Sequence, residues 1–103
     1  MKQVINGKMY NTQTSKKIGE WNNGRFTNDC YYVSEDLYID PSGEFFLHGK
    51  GGDLSRYATY NGNTSGWGEE IILFTKKEAE EWAADNLCDE EYEEISNEIF
   101  KWR

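Results

Sequence analysis

The sequence predicts an α+β fold: an antiparallel sheet of four to six strands, with two C-terminal helices packed on one face. Three observations predict it. Asn6-Gly7 separates two short runs, and both turn positions need the positive φ that Asn and Gly tolerate. Asp40-Pro41-Ser42-Gly43 separates two longer apolar runs and reads as a second hairpin turn. Thr75-Lys76-Lys77-Glu78 is a capping box and opens a stretch of helical spacing.

The elements follow in order. Residues 3–10 form a hairpin about Asn6-Gly7. Lys16 to Trp21 is a third short strand, ended by Asn22-Asn23-Gly24. Residues 30–39 alternate, with Tyr31, Val33, Leu37 and Ile39 on one face, and Glu35 breaks the pattern. Glu44 to His48 returns, so 30–48 reads as the central hairpin. Gly49 to Asp53 is expected as a glycine-rich loop, with Asp53 capping one helical turn over 54–60. Asn61 to Gly68 is expected as a second flexible loop carrying Trp67. Ile71-Ile72-Leu73-Phe74 is wholly apolar and reads as a buried strand. In the first helix Ala79, Trp82, Ala83 and Asn86-Leu87 share one face. Asp89 would cap the second, with Tyr92, Ile95, Ile99 and Trp102 as its apolar stripe. Trp82, Ala83, Tyr92, Ile95 and Ile99 are the residues expected to meet the sheet.

At 103 residues the chain makes one domain, mainly β over 1–74 and helical and acidic over 75–103. A domain of this size buries about 65% of the surface of its unfolded chain. Four Trp, seven Tyr and five Phe suit such a small core. The net charge of −8 is confined to one end. Residues 1–68 carry seven acids and seven Lys/Arg, whereas residues 69–103 carry twelve acids and four Lys/Arg. This balance disfavours direct binding to nucleic acid or an anionic membrane and favours a basic partner. Acidity of this kind also serves solubility alone. No apolar run approaches a membrane span, and the opening Met1–Gly7 lacks the apolar core of a signal peptide, so a cytoplasmic location is expected.

The candidate binding residues are Glu80, Glu81 and Asp85 on the first helix and Glu90, Glu91, Glu94 and Glu98 on the second. The spacing of Glu91, Glu94 and Glu98 puts three carboxylates in one row, where like charges cost a few tenths of a kcal/mol each. Such a row is an ordinary solvated face or a phosphate mimic for Lys/Arg clefts. Trp67, between two glycines, is the candidate interface anchor. Other readings carry less. Gly49-Lys50-Gly51-Gly52 lacks the Walker pattern and reads as a turn needing positive φ. Cys30, His48 and Cys88 are zinc-ligand types without ligand spacing, and His48 reads as a strand-end side chain. Two cysteines make no disulfide framework, and free thiols are expected. Trp21, Tyr31, Tyr32, Phe45, Phe46 and Trp67 could stack bases, but no basic groove lies beside them, which favours core packing. A lone His and the absence of a nucleophile motif leave no catalytic site and no cofactor expected.

Several blocks together resemble a known group. These are Ile5-Asn6-Gly7-Lys8-Met9-Tyr10-Asn11-Thr12, then Gly43-Glu44-Phe45-Phe46-Leu47-His48-Gly49 with Gly51-Gly52, Leu54-Ser55 and Tyr57-Ala58. Glu70-Ile71-Ile72, Glu78-Ala79, Glu81-Trp82-Ala83 and Tyr92-Glu93-Glu94-Ile95 complete the set. Over roughly residues 4–96 the chain resembles small acidic proteins of Firmicutes phages and integrative elements, some of which are anti-CRISPR inhibitors of Cas9. The resemblance implies a Cas effector such as Cas9 as the basic partner. A monomer or small homo-oligomer is expected. It assigns no catalytic or binding residue. The alternatives are a non-enzymatic mobile-element accessory protein with another protein partner, and a small metal-stabilised binding module.

Overall fold

The computed structural model describes residues 1–87, 90, 92 and 93. They form, in order, β1 (Lys2–Ile5), β2 (Lys8–Asn11), β3 (Lys16–Asn22), β4 (Val33–Ile39), β5 (Phe45–Gly51), β6 (Thr59–Asn61), β7 (Thr64–Gly66), β8 (Gly68–Phe74) and α1 (Lys76–Asn86). The principal sheet has four antiparallel strands in the order β3-β4-β5-β8. β1–β2 and β6–β7 are separate two-stranded hairpins. The class is therefore α+β, with the predicted antiparallel sheet and the first of the two helices. The stripe expected of the second helix at Ile95, Ile99 and Trp102 lies outside the described residues. Tyr92, expected on the sheet, is instead exposed, and Leu87 is the last described residue packed against the helix-side core.

The sheet is covered on both faces, and strand alternation decides which side chain goes where. Leu37, Ile39, Phe45 and Leu47 pack with Ala79, Trp82 and Ala83 of α1, joined by Ile18, Trp21, Ile72 and Phe74. Tyr38, Phe46 and Ile71 face the other way and pack with Tyr10 and Ile5 of the first hairpin. Leu37 and Phe46 are wholly buried, and each such side chain contributes about 1.5–3 kcal/mol by leaving water. In β3 the register shifts between Lys17 and Gly19. The bulge lets Ile18 and Trp21, three apart, reach the same core.

Local chemistry explains the ends of the elements. Asn6 and Gly7 have φ of 54° and 80°, as the β1–β2 turn requires. Asp40 accepts from the Ser42 and Glu44 amides at 3.0 and 2.9 Å and pairs with Lys8 at 2.9 Å. Burial alone would raise the Asp40 carboxyl. The Lys8, Glu44 and Ser42 hydrogen bonds outweigh it and hold the group below its ordinary value. Thr75 caps α1 as the sequence predicts: its Oγ1 accepts from the Glu78 amide at 3.1 Å, and the Glu78 carboxylate accepts from the Thr75 amide at 2.9 Å.

Four expectations are corrected. Gly49 and Gly51 are in β5, not in a loop, and neither they nor Gly52 has a positive φ. The segment 54–60 is not a helical turn; it makes tight turns and then enters β6, and the second expected loop is the β6–β7 hairpin, which turns at Gly62 with a φ of 64°. The apolar run 71–74 is the end of an edge strand, so only Ile71 is buried while Ile72, Leu73 and Phe74 are half-buried.

Candidate functional site: an acidic cleft beside α1

Glu35 breaks the alternation of β4 because it belongs to the site. It lies on the helix side of the sheet, opposite Gly49 of β5, and is 5% exposed. A Cβ at Gly49 would overlap the ring of Tyr57, so the glycine leaves room for that ring to lie flat on the sheet. A Cβ at Gly68 would overlap the Tyr57 carbonyl oxygen, so β8 also needs a glycine for the same loop to come close. Within the loop the Ser55 hydroxyl donates to the Gly52 carbonyl at 2.7 Å and accepts from the Tyr57 amide at 3.3 Å. Arg56 and Tyr57 are thereby held over Glu35.

Three donors converge on the buried carboxylate. The Trp82 indole Nε1 donates to Oε1 at 3.1 Å. The Tyr57 hydroxyl donates to Oε2, and the Arg56 guanidinium pairs with the same oxygen at 3.1 Å. A buried charge is tolerated when it is paired and hydrogen-bonded, and here one carboxylate joins β4, the 52–58 loop and α1. Burial, with the bond to Glu35 added, pushes the Tyr57 phenol well above its ordinary value of 10.0. The group therefore stays a neutral donor. Arg56 also lies over the Tyr57 and Trp21 rings, 5.6 and 6.0 Å from their centroids.

Beside this clamp lies an open cleft of about 540 Å³. Its floor is apolar, made by Leu47, Ile72, Phe74 and Trp82, and its wall carries Glu35, Glu70, Asp85, Arg56, Tyr57 and Asn86. Glu35 and Arg56 compensate each other. Glu70 and Asp85 are exposed and have no cationic partner among the described residues. Asn86 donates its amide to the Trp82 carbonyl at 2.9 Å, which leaves its Oδ1 as an acceptor. The cleft thus offers apolar surface and uncompensated negative charge, the combination that suits an amphipathic cation such as a Lys or Arg side chain.

The sequence-predicted residues are divided by this geometry. Asp85 lines the cleft. Glu80 and Asp85 are five positions apart, which sets them about 140° apart around α1, and Glu80 does not line the cleft. Glu80 is half-buried, and Glu81 is exposed and pairs with Lys77 at 4.0 Å. Glu90 is exposed, while Glu91, Glu94 and Glu98 lie outside the described residues. Trp67 is not in a flexible loop. It is the single residue between β7 and β8, 44% exposed, and its ring stacks on Tyr32 with centroids 5.9 Å apart. Of the other aromatics, Tyr32, Phe45 and Phe46 are buried and Trp21 is half-buried, whereas Tyr31 is 52% exposed beneath Arg25.

The remaining candidates fall out differently. The amides of the glycine segment are committed: Gly52 donates to the Tyr32 carbonyl at 3.0 Å and Leu54 to that of Cys30 at 2.8 Å, so they form no phosphate cradle. β5 runs to Gly51, so His48 is in mid-strand, not at its end, bonded to Glu69 at 2.8 Å. Cys30 is a free thiol, Cys88 lies outside the described residues, and no three His, Cys, Asp or Glu among the described residues form a metal-holding group. Among the same residues no helix is long and apolar enough to cross a membrane. Sequence reasoning missed Glu35, Arg56, Tyr57 and Glu70. The available signal was a carboxylate at a core position of a central strand, with glycines spaced along the neighbouring strands. Compared with protein-family models, curated proteins and solved structures, the chain matches none of them.

Proposed function

We propose that the protein acts by binding, not by catalysis, and that it offers the acidic wall formed by β8 and α1 to a basic patch of a partner protein. One observation carries this reading. Glu70 and Asp85 line one cleft with no ion-pair partner among the described residues, in the part of the chain that holds the whole net charge. Such a field speeds encounter with a basic surface, and carboxylates can take the place of phosphates against Lys and Arg. The buried carboxylate in the cleft has its oxygens taken by three donors, which suits a structural clamp better than a proton-transfer group.

On the resemblance in the sequence, the partner is a Cas effector, Cas9 first, and the consequence is inhibition. Cas9 holds its guide–target heteroduplex in a positively charged channel and reads the PAM with arginines. An acidic wall seated in either place would block guide or target engagement. The test is target-DNA cleavage by Cas9 with excess protein added before or after the guide, with complexes checked by co-elution. Inhibition with co-elution supports the reading, and the order of addition identifies the blocked step. Full cleavage without co-elution removes Cas9 and leaves an accessory protein with another basic partner.

A further inference from the structure

The two edges of the principal sheet are built differently. β3 is interrupted by the bulge at Ile18 and opens with Lys16-Lys17, devices that discourage another strand from pairing there. β8 has neither. Its seven residues pair with β5 in continuous register from Gly68 to Phe74, and its outer side has no strand beside it among the described residues. A regular edge with no strand beyond it among the described residues is a template for one more strand, and acids along it favour a basic one. The same strand supplies Glu70, Ile72 and Phe74 to the cleft, on its helix side. A chain added along β8 would set alternate side chains beside these three, below Asp85 and Asn86.

We propose that β8 accepts an extended, arginine-bearing segment of a partner protein as a fifth strand, with the arginine seated in the cleft against Glu70 and Asp85. This rests on the binding reading above and names the partner's chemistry. Two carboxylates with no ion-pair partner among the described residues call for a basic side chain. The planar guanidinium suits the site better than an ammonium: it can meet two carboxylates, is weakly hydrated and stacks on rings such as Phe74. Its methylenes would cover Ile72 and Leu47. Main-chain bonds to β8 would supply affinity, and the seated arginine specificity.

The experiment titrates the full chain with a blocked ten-residue peptide of alternating threonine and valine carrying one central arginine. Amide exchange and the Trp82 indole signal are read by NMR. Expected are saturable slowing of exchange at β8 amides, a shift of the Trp82 indole N–H, and about tenfold weaker binding for either the citrulline peptide or the E70Q/D85N variant. The E80Q/E81Q variant should bind the peptide as wild type does. No protection of β8 up to millimolar peptide overturns the proposal, as does equal binding of the citrulline peptide. Protection of β8 in the free protein that deepens with its own concentration assigns the edge to a second copy and also overturns it. Peptide binding at β8 without any effect on Cas9 keeps this inference and removes the Cas effector. Cas9 binding that survives E70Q/D85N but is lost in E80K/E81K does the reverse.

Discussion

The indole Nε1 of Trp82 donates to Oε1 of Glu35 at 3.1 Å, across 47 residues of sequence. This bond ties the amphipathic helix to the central strand, and the same carboxylate holds the Arg56-Tyr57 loop. The cleft exists because these three elements meet at one buried charge.

Glu35→Gln keeps the size of the side chain and removes its charge. The pairing with Arg56 is lost and the Tyr57 bond weakens, although Arg56, 58% exposed, can turn to solvent. The expected cost is about 2–3 kcal/mol in urea unfolding, with the far-UV spectrum unchanged. A cost under about 0.5 kcal/mol, the range of ordinary surface substitutions, would show that the carboxylate is not the clamp.

The two glycines under Tyr57 should differ. At Gly49 an added Cβ meets the end of the Tyr57 side chain, which can swing away at the loss of its bond to Glu35. At Gly68 it meets the Tyr57 backbone, which cannot. Gly49→Ala is expected to cost about 1–3 kcal/mol and Gly68→Ala more, measured by thermal unfolding. The opposite order would mean that the loop, not the ring, adapts.

The Tyr57 phenol gives stability a dependence on alkaline pH. The folded protein keeps this proton where the unfolded chain would release it, so the contribution is complete below pH 10.0 and is lost as pH rises above that value. Tyr57→Phe should make the fall in stability above pH 10 shallower, while costing about 1 kcal/mol at neutral pH. Tyr10, raised mainly by its bond to Glu44, keeps some of the slope. An identical slope in Tyr57→Phe would contradict the assignment.

Thr75→Ala should remove the cap of α1 and cost about 1 kcal/mol. It should weaken the cleft only through the helix, so the variant should still bind a partner under conditions where it is fully folded.

Much of this architecture was legible in the sequence. Asn6-Gly7, Asp40 to Gly43 and Thr75 to Glu78 mark a turn, a turn and a cap by chemistry that acts within four residues, and each is where it was expected. The cleft was not legible, because it depends on pairings across the sheet. Glu35 opposes Gly49 only once β4 and β5 are in register, and Glu70 reaches the same cleft only because β8 pairs on the far side of β5. Gly49 and Gly68 looked like loop residues because a glycine required for close approach has the same letter as one required for positive φ. On α1, Asp85 lines the cleft whereas Glu80 is half-buried away from it, a difference that depends on where β8 lies beside the helix.

Whether the wall of β8 and α1 binds a basic partner is read from the affinity of guide-loaded Cas9 for the wild type and for the E70K/D85K variant at about 0.15 M salt. Binding by the wild type is expected, with a loss of about a hundredfold in the charge-reversed variant while its fold stays intact by circular dichroism. Equal affinity of the two proteins would contradict it.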